Sequence, residues 1–297
     1  AAEQVRGALA LAAASHCSAD LSRLHLDMTA VRFTGGYTGS ALVAKGWAAD
    51  RTIARQVKTM QVSTRAGVTV YYRGHPGGSN EAPCFADTLE RIRELAPPGV
   101  VCVIDSGFGH LSKLCAADAK GLRFVVPLRA DTGWAGWFAV DVPDGLPALE
   151  RLNHCPQRER RLPEDQRTVF KGVLRQRDIA DDDTGATHQL RIAYIWSSEE
   201  AASVADARER ALSTAEAALA RIRNGLGGRH YKTKKQVDDR VAKIIGHRIA
   251  ELHTVTTGID AHGKPTIAWH RNPQAITTAS TLGGLYALAT NLPDPPG

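Results

Sequence analysis

The chain has 297 residues, of which 43% are hydrophobic and 23% charged, so it can bury a full core and is not a disordered polymer. Its formal net charge of +6 is concentrated: residues 221–250 carry nine Lys or Arg against Asp238 and Asp239, which suits an anionic partner or a solvated basic face. No apolar run approaches the roughly 20 residues that cross a bilayer, and the five cysteines, Cys17, Cys84, Cys102, Cys115 and Cys155, are odd in number and lack CxxC spacing, which indicates neither a disulfide framework nor a zinc ribbon and fits a reducing, cytoplasmic location.

Arg6-Gly7 followed by Ala8 to Ala14 reads as an alanine-rich helix. Leu24 to Met28 reads as a short strand, and Gln56 to Ser63 and Val68 to Arg73 as two more around the Arg65-Ala66-Gly67 turn, together a meander. Pro83 opens a helix to Leu95, because Phe85, Leu89, Ile92 and Leu95 recur on one face, and Pro97-Pro98-Gly99 ends it. Val100 to Ile104 is a continuous apolar run, as expected of a strand buried on both faces. A helix over Leu111 to Lys120, stopped by Gly121, leads to a strand over Leu122 to Leu128. This order predicts an α/β fold whose later strands are parallel, joined by helical crossovers, with ligands beyond the carboxyl ends of the strands.

After Arg129 the texture changes. Trp134 and Trp137 among Gly133 and Gly136, the charged Gln157 to Arg161, and strand-like Thr168 to Leu174 and Leu190 to Trp196 suggest a β-rich inserted segment. Ser197 with Glu200 is a capping signature for a helix over 199–224, with Val204, Ala211, Ala215, Ala218 and Ile222 as a mostly alanine buried stripe. Gly225, Gly227 and Gly228 end it, the basic run His230 to Lys235 follows, and Val237 to Ile245 is helical again. Thr266 to Trp269 and Leu285 to Thr290 are strand-like.

Asp27 follows Leu24-His25-Leu26 and Asp105 follows Val101-Cys102-Val103-Ile104, so each stands at the end of a predicted strand. Alone, each reads as a turn-capping aspartate. Together on neighbouring strands they repel unless a hard divalent cation neutralises them, which points to Mg²⁺ chemistry on phosphates. The eleven histidines lack HxH or HxxxH ligand spacing, and Gly35-Gly36 and Gly77-Gly78 lack the lysine of a phosphate loop.

Leu24-His25-Leu26-Asp27-Met28-Thr29, Gln56-Val57-Lys58, Gly74-His75-Pro76-Gly77, Val103-Ile104-Asp105-Ser106-Gly107-Phe108, Arg229-His230-Tyr231-Lys232-Thr233 and Gly284 to Asn291 occur in an order that resembles DDE transposases of bacterial insertion sequences. The resemblance runs from about Leu24 to Leu292 and implies an α/β RNase H-like mixed sheet with helices, interrupted by a β-rich plus helical insertion. Residues 1–20 are then a remnant of an N-terminal helical region, 21–130 the first part of the catalytic domain, 131–275 the insertion with its long helix 199–224, and 276–297 the return to the catalytic domain.

What the resemblance implies for the site is that Asp27 and Asp105 are the first two catalytic carboxylates. They would bridge Mg²⁺ or Mn²⁺ ions that serve cleavage and strand transfer on double-stranded DNA, at transposon ends and target, without a covalent protein intermediate. It also implies a homodimer, because synapsis joins two DNA ends, with no membrane and with nucleoid association when bound to DNA. Arg229, Lys232, Lys234 and Lys235 become candidates for phosphate contact. The family's third carboxylate, a glutamate on a helix after the Thr-Asn strand, is not met before Gly297, and Glu251, Asp260 and Asp294 do not stand in its pattern. The chain is therefore expected to be C-terminally truncated. The alternatives at this point are an inactive remnant that binds DNA or an intact transposase, and an unrelated α/β hydrolase that uses the same two aspartates on another phosphoester.

Overall fold

The computed structural model describes residues 20–48, 52–95 and 98–293, with single positions 5, 8, 9, 12 and 16 ahead of them. The expected opening helix as a continuous segment, Cys17, Pro97 and Asp294 lie outside the described residues. In chain order the elements are β1 (Arg23–Arg32), β2 (Ala44–Trp47), β3 (Ile53–Thr64), β4 (Thr69–Pro76), α1 (Glu81–Leu95), β5 (Val101–Ile104), α2 (Leu111–Ala119), β6 (Arg123–Pro127), α3 (Trp134–Asp141), β7 (Glu150–Arg151), β8 (Phe170–Ala180), β9 (Thr187–Ser197), α4 (Ser198–Asn224), α5 (Lys234–Ile249), β10 (His253–Ile259), β11 (Pro265–Arg271), α6 (Pro273–Thr281) and β12 (Leu285–Thr290). Two compact units result, one of Ala1–Asp141, Val173–Tyr194 and Tyr286–Gly297, the other of Val142–Gly172 and Ile195–Leu285.

The first unit is built on a mixed sheet in the order β2-β3-β1-β5-β6-β12-β9-β8, with β4 also on β3. β1 runs antiparallel to β3 and parallel to β5, β5 is parallel to β6, and β12 returns antiparallel to β6. A three-stranded meander followed by two parallel strands with a helical crossover is the RNase H-like arrangement expected from the sequence. The Thr64 to Val68 reversal between β3 and β4 works because Gly67, at φ +82°, takes the left-handed conformation that a residue with a Cβ resists. One face of the sheet is buried through Leu24, Leu26, Met60, Val62, Cys102 and Ile104. α1 buries Phe85, Leu89 and Ile92, and the Phe85 ring stacks on Phe108 at 4.4 Å between centroids. Each such side chain contributes about 1.5–3 kcal/mol by leaving water.

Residues 134–141, expected as part of a β-rich stretch, form a helix instead. Gly133 enters it at φ +76° and its carbonyl accepts from the Gly136 and Trp137 amides, so the glycines start a helical turn rather than breaking one. Its apolar residues find partners in the same unit. Phe138 packs edge-on against Tyr194 at 5.2 Å, and Arg177 lies over the Trp137 ring.

In the second unit β7 pairs with the start of β8, and β10 with β11. Ser197 caps α4 as its pattern predicts, its hydroxyl accepting from the Glu200 amide at 3.2 Å. The buried stripe agrees with the expected one in part. Ala215 and Ile222 are buried as expected, but Leu212 and Leu219 are buried too while Ala211 is exposed, because the larger leucines lie towards the core. Leu219 and Ile222 form a core with Val237 of α5 and Ile267 of β11, flanked by Tyr231, Val255 and Trp269. α5 begins three residues earlier than the apolar pattern suggests, since Thr233 and Gln236 make a reciprocal capping box.

Candidate functional site

The two aspartates come together through strand register. Leu26 of β1 is paired with Ile104 of β5, and both strands run in the same direction, so Asp27 and Asp105 follow in step as neighbours on the opposite face from those buried side chains. The structure corrects one expectation. Asp27 is the fifth residue of a ten-residue strand rather than its end, because β3 continues to pair with β1 past it, with Asp27 opposite Gln61, through Arg32 opposite Gln56. What ends beside Asp27 is β5.

Both carboxylates are exposed, and each is held through one oxygen by a single neighbouring residue, Asp27 by Thr29 and Asp105 by the amide and hydroxyl of Ser106. Asp27 Oδ2 accepts from the Thr29 hydroxyl at 3.0 Å, two residues along the same strand face. Asp105 Oδ1 accepts from the Ser106 amide at 2.7 Å, capping the single 3-10 turn Ser106–Phe108. That turn lies close over β6. Gly109 fits because it has no side chain, since a methyl group there would run into the Pro127 carbonyl oxygen. These contacts leave Asp27 Oδ1 and Asp105 Oδ2 without a hydrogen-bond partner among the described residues, and neither carboxylate forms an ion pair there.

Adjacent strands are about 4.8 Å apart. Two negative charges at about that spacing repel by roughly 1 kcal/mol in water and roughly 3–4 at an effective dielectric of 20. A cation between them removes this repulsion, and a hard divalent ion suits the all-oxygen donor set. Mg²⁺ is commonly held by only one or two carboxylates and takes its remaining ligands from water and substrate phosphate oxygens, so the pair fits such an ion. Among the described residues there is no group of three or more His, Cys, Asp or Glu arranged to hold a metal. Asp260, one of the acids weighed as a third ligand, is committed to the β10–β11 turn, where it accepts from the His262 and Lys264 amides at 2.9 and 2.8 Å.

The row continues beyond the pair. Asp27 is opposite Gln61, and Gln61 is opposite Tyr72 of β4, so these three lie in line across three strands on one exposed face, with the exposed Asp105 just past the end of β5 beside Asp27. Sequence reading missed Gln61 and Tyr72, because the β3–β4 register is fixed by a turn and a bulge at Val62/Ser63 that no motif announces.

The basic candidates fall in the second unit and divide into two kinds. Lys234 and Lys235, in the first turn of α5, pair with Asp238 and Asp239 one turn later at 2.7 and 2.9 Å. The side chains of Arg229 and Lys232 are exposed in the preceding turn and have no partner among the described residues.

A family model described as Transposase DDE domain matches residues 20–236, well over half of the chain, from before β1 into α5. No curated protein matches the sequence. Among the described residues, no helix is long and apolar enough to cross a membrane.

Proposed function

The chain belongs to the transposase DDE domain family, and from that premise we propose that Asp27 and Asp105 hold a divalent cation, Mg²⁺ or Mn²⁺, for phosphodiester cleavage and strand transfer at the ends of an insertion-sequence element. Membership of the family gives the general setting, DNA transposition with a divalent metal. The observation that supports the finer reading is the in-step placement of the two carboxylates on adjacent parallel strands, where each keeps one oxygen free.

When bound, the cation polarises the phosphoryl oxygens and lowers the charge barrier to in-line attack by water or a DNA 3′-hydroxyl. The chain's own residues fix where that happens. Thr29 and the Ser106 amide hold one oxygen of each aspartate, so the free oxygens point from anchored groups. Residues 131–275 serve as an insertion in sequence between 21–130 and the returning strand β12, a reading supported by β12 pairing beside β6 after more than 150 intervening residues, with β8 and β9 of that stretch joining the first unit's sheet beyond β12. Arg229 and Lys232, with Lys234 and Lys235, contact the phosphate backbone, and two copies of the chain bring two DNA ends together.

The test is metal-dependent cleavage of an end-bearing duplex by the full chain and by Asp27→Asn and Asp105→Asn, which keep shape and remove charge. Each variant is expected to lose cleavage while keeping its circular-dichroism spectrum. Undiminished cleavage by either variant sinks the assignment. DNA binding without cleavage by the unaltered chain would favour the binding-only alternative.

A further inference from the structure

We infer that Tyr72 is a base-stacking residue, which holds an unpaired DNA base one or two nucleotides from the phosphate at Asp27 and Asp105. The inference rests on the proposed role of those aspartates and adds a substrate contact on the same face. Tyr72 lies two strands from Asp27 through Gln61, which places it about 10 Å away at ordinary interstrand spacing. That is within reach of a nucleotide adjoining a phosphate held at the carboxylates. Its neighbour Tyr71 points to the other face and is 7% exposed, whereas Tyr72 is 50% exposed and its hydroxyl has no partner among the described residues.

The ring stands apart from the other exposed apolar residues of this face, since Val31, Ile53 and Trp47 lie towards the other end of the strands, beyond the buried Thr59. A half-exposed aromatic ring on a sheet face offers a flat apolar surface to a single partner group. DNA supplies that group here for two reasons. The family acts on DNA, and the row that carries Tyr72 also carries Asp27, with Asp105 beside it. Stacking on an aromatic ring tolerates any base because every base has a π face, so Tyr72 would favour unpaired over paired ends without reading sequence. The contact needs the ring and not the hydroxyl.

The experiment uses the full chain with a duplex that carries 2-aminopurine in a two-nucleotide unpaired end, in the presence of Mg²⁺. Stacking quenches the fluorescence of this base. The unaltered chain is expected to quench it, Tyr72→Phe to quench it equally, and Tyr72→Ala to lose the quenching and about tenfold or more in affinity for the unpaired end. Affinity for a fully paired duplex should not change. Since half of the side chain is already exposed, the alanine variant is expected to fold, which circular dichroism checks. Unchanged quenching and affinity in Tyr72→Ala would overturn the inference, as would a phenylalanine variant as weak as alanine. A change in oligomeric state by sedimentation, with no change in quenching, would also overturn it and assign the face to a second copy. Asp27→Asn in the same assay separates the two readings: quenching without cleavage keeps both, and cleavage by Asp27→Asn removes the metal assignment whatever Tyr72 does.

Discussion

Asn291 and Asp118 are joined by a 2.8 Å hydrogen bond although 173 residues separate them in sequence. The same Asn291 amide donates to the Leu122 carbonyl at 2.7 Å, and its oxygen accepts from the Phe124 amide at 3.0 Å. One side chain thus closes the seam between the end of β12 and the α2–β6 connection. The other Asp118 oxygen lies 2.8 Å from His188 Nδ1, which ties β9 to the same point.

This geometry makes the amide sensitive to its donor. Asn291→Ala should lower unfolding stability by about 1–3 kcal/mol, because the Phe124 amide and an Asp118 oxygen lose their partner in a part-buried site. Asn291→Asp should be worse at neutral pH, since it sets a second carboxylate against Asp118 and the Leu122 carbonyl oxygen. Urea midpoints of the two variants at pH 7 check the order. An aspartate variant as stable as alanine at pH 7 would mean that the seam is open to water.

The extent to which the molecule was legible in its sequence follows from the range of the forces concerned. Asp27 and Asp105 stood out because hydrophobic runs lead into each of them, and the β1–β5–β6 order followed from alternating strands and helices. Register did not follow. That Asp27 continues within β1 and shares a row with Gln61 and Tyr72 depends on pairing with β3 and β4, which is set by the Gly67 turn and a bulge. Helix α3 was hidden because glycine and tryptophan are poor local indicators of helix, and its partner Tyr194 is distant in the chain. The α4 stripe was legible only in part: Ala215 and Ile222 are buried as expected, but Leu212 and Leu219 are buried where Ala211 and Ala218 were expected, since the facing Val237 and Ile267 decide which residues are covered.

The loop after Asp105 offers a test of the cation site that leaves the carboxylates intact. Gly109→Ala forces a methyl group against the Pro127 carbonyl oxygen and must displace the turn that Asp105 caps. Gly121→Ala, at φ +69° with open space around its Cβ position, costs about 1 kcal/mol of backbone strain without touching the site. Binding of a divalent ion to the folded state raises Tm by mass action. Titration with Mn²⁺ should therefore raise Tm for the unaltered chain and for Gly121→Ala, with a reduced rise for Gly109→Ala and none for Asp27→Asn. An equal rise in Gly109→Ala would uncouple the turn from the ion.

A second acidic centre should shape the response to pH. Glu216 in α4 accepts from Arg271 Nε at 2.8 Å and from Nη2 at 3.1 Å, and the Arg271 guanidinium, with His253 beside it, holds its carboxyl at about 2 against an ordinary 4.5. The folded value is the lower one, so the pair stabilises the fold fully above about 4.5, and that contribution is lost as pH falls towards 2. Arg271→Ala should lower Tm at pH 7 and flatten the fall in Tm between pH 5 and pH 2.5. A variant that loses Tm equally at every pH in that window would show that Arg271 acts through packing alone.

Salt dependence should separate the basic residues by how they are held. Each phosphate contact contributes about 0.9 to the slope of log affinity against log salt, through counterion release. Arg229 and Lys232 have no ion-pair partner among the described residues, so Arg229→Ala and Lys232→Ala should each reduce the slope by about that amount. Lys234 must give up Asp238, whose other oxygen accepts from Thr257, and Lys235 must give up Asp239, before either can bind phosphate fully. Exposed pairs of this kind are worth only about 0.3–0.5 kcal/mol, so they yield, but the released aspartates repel the backbone in turn. Lys234→Ala and Lys235→Ala should therefore change the slope less than the first two. Equal slopes for all four would assign the whole run to DNA, and no change in any would return it to a solvated helix start.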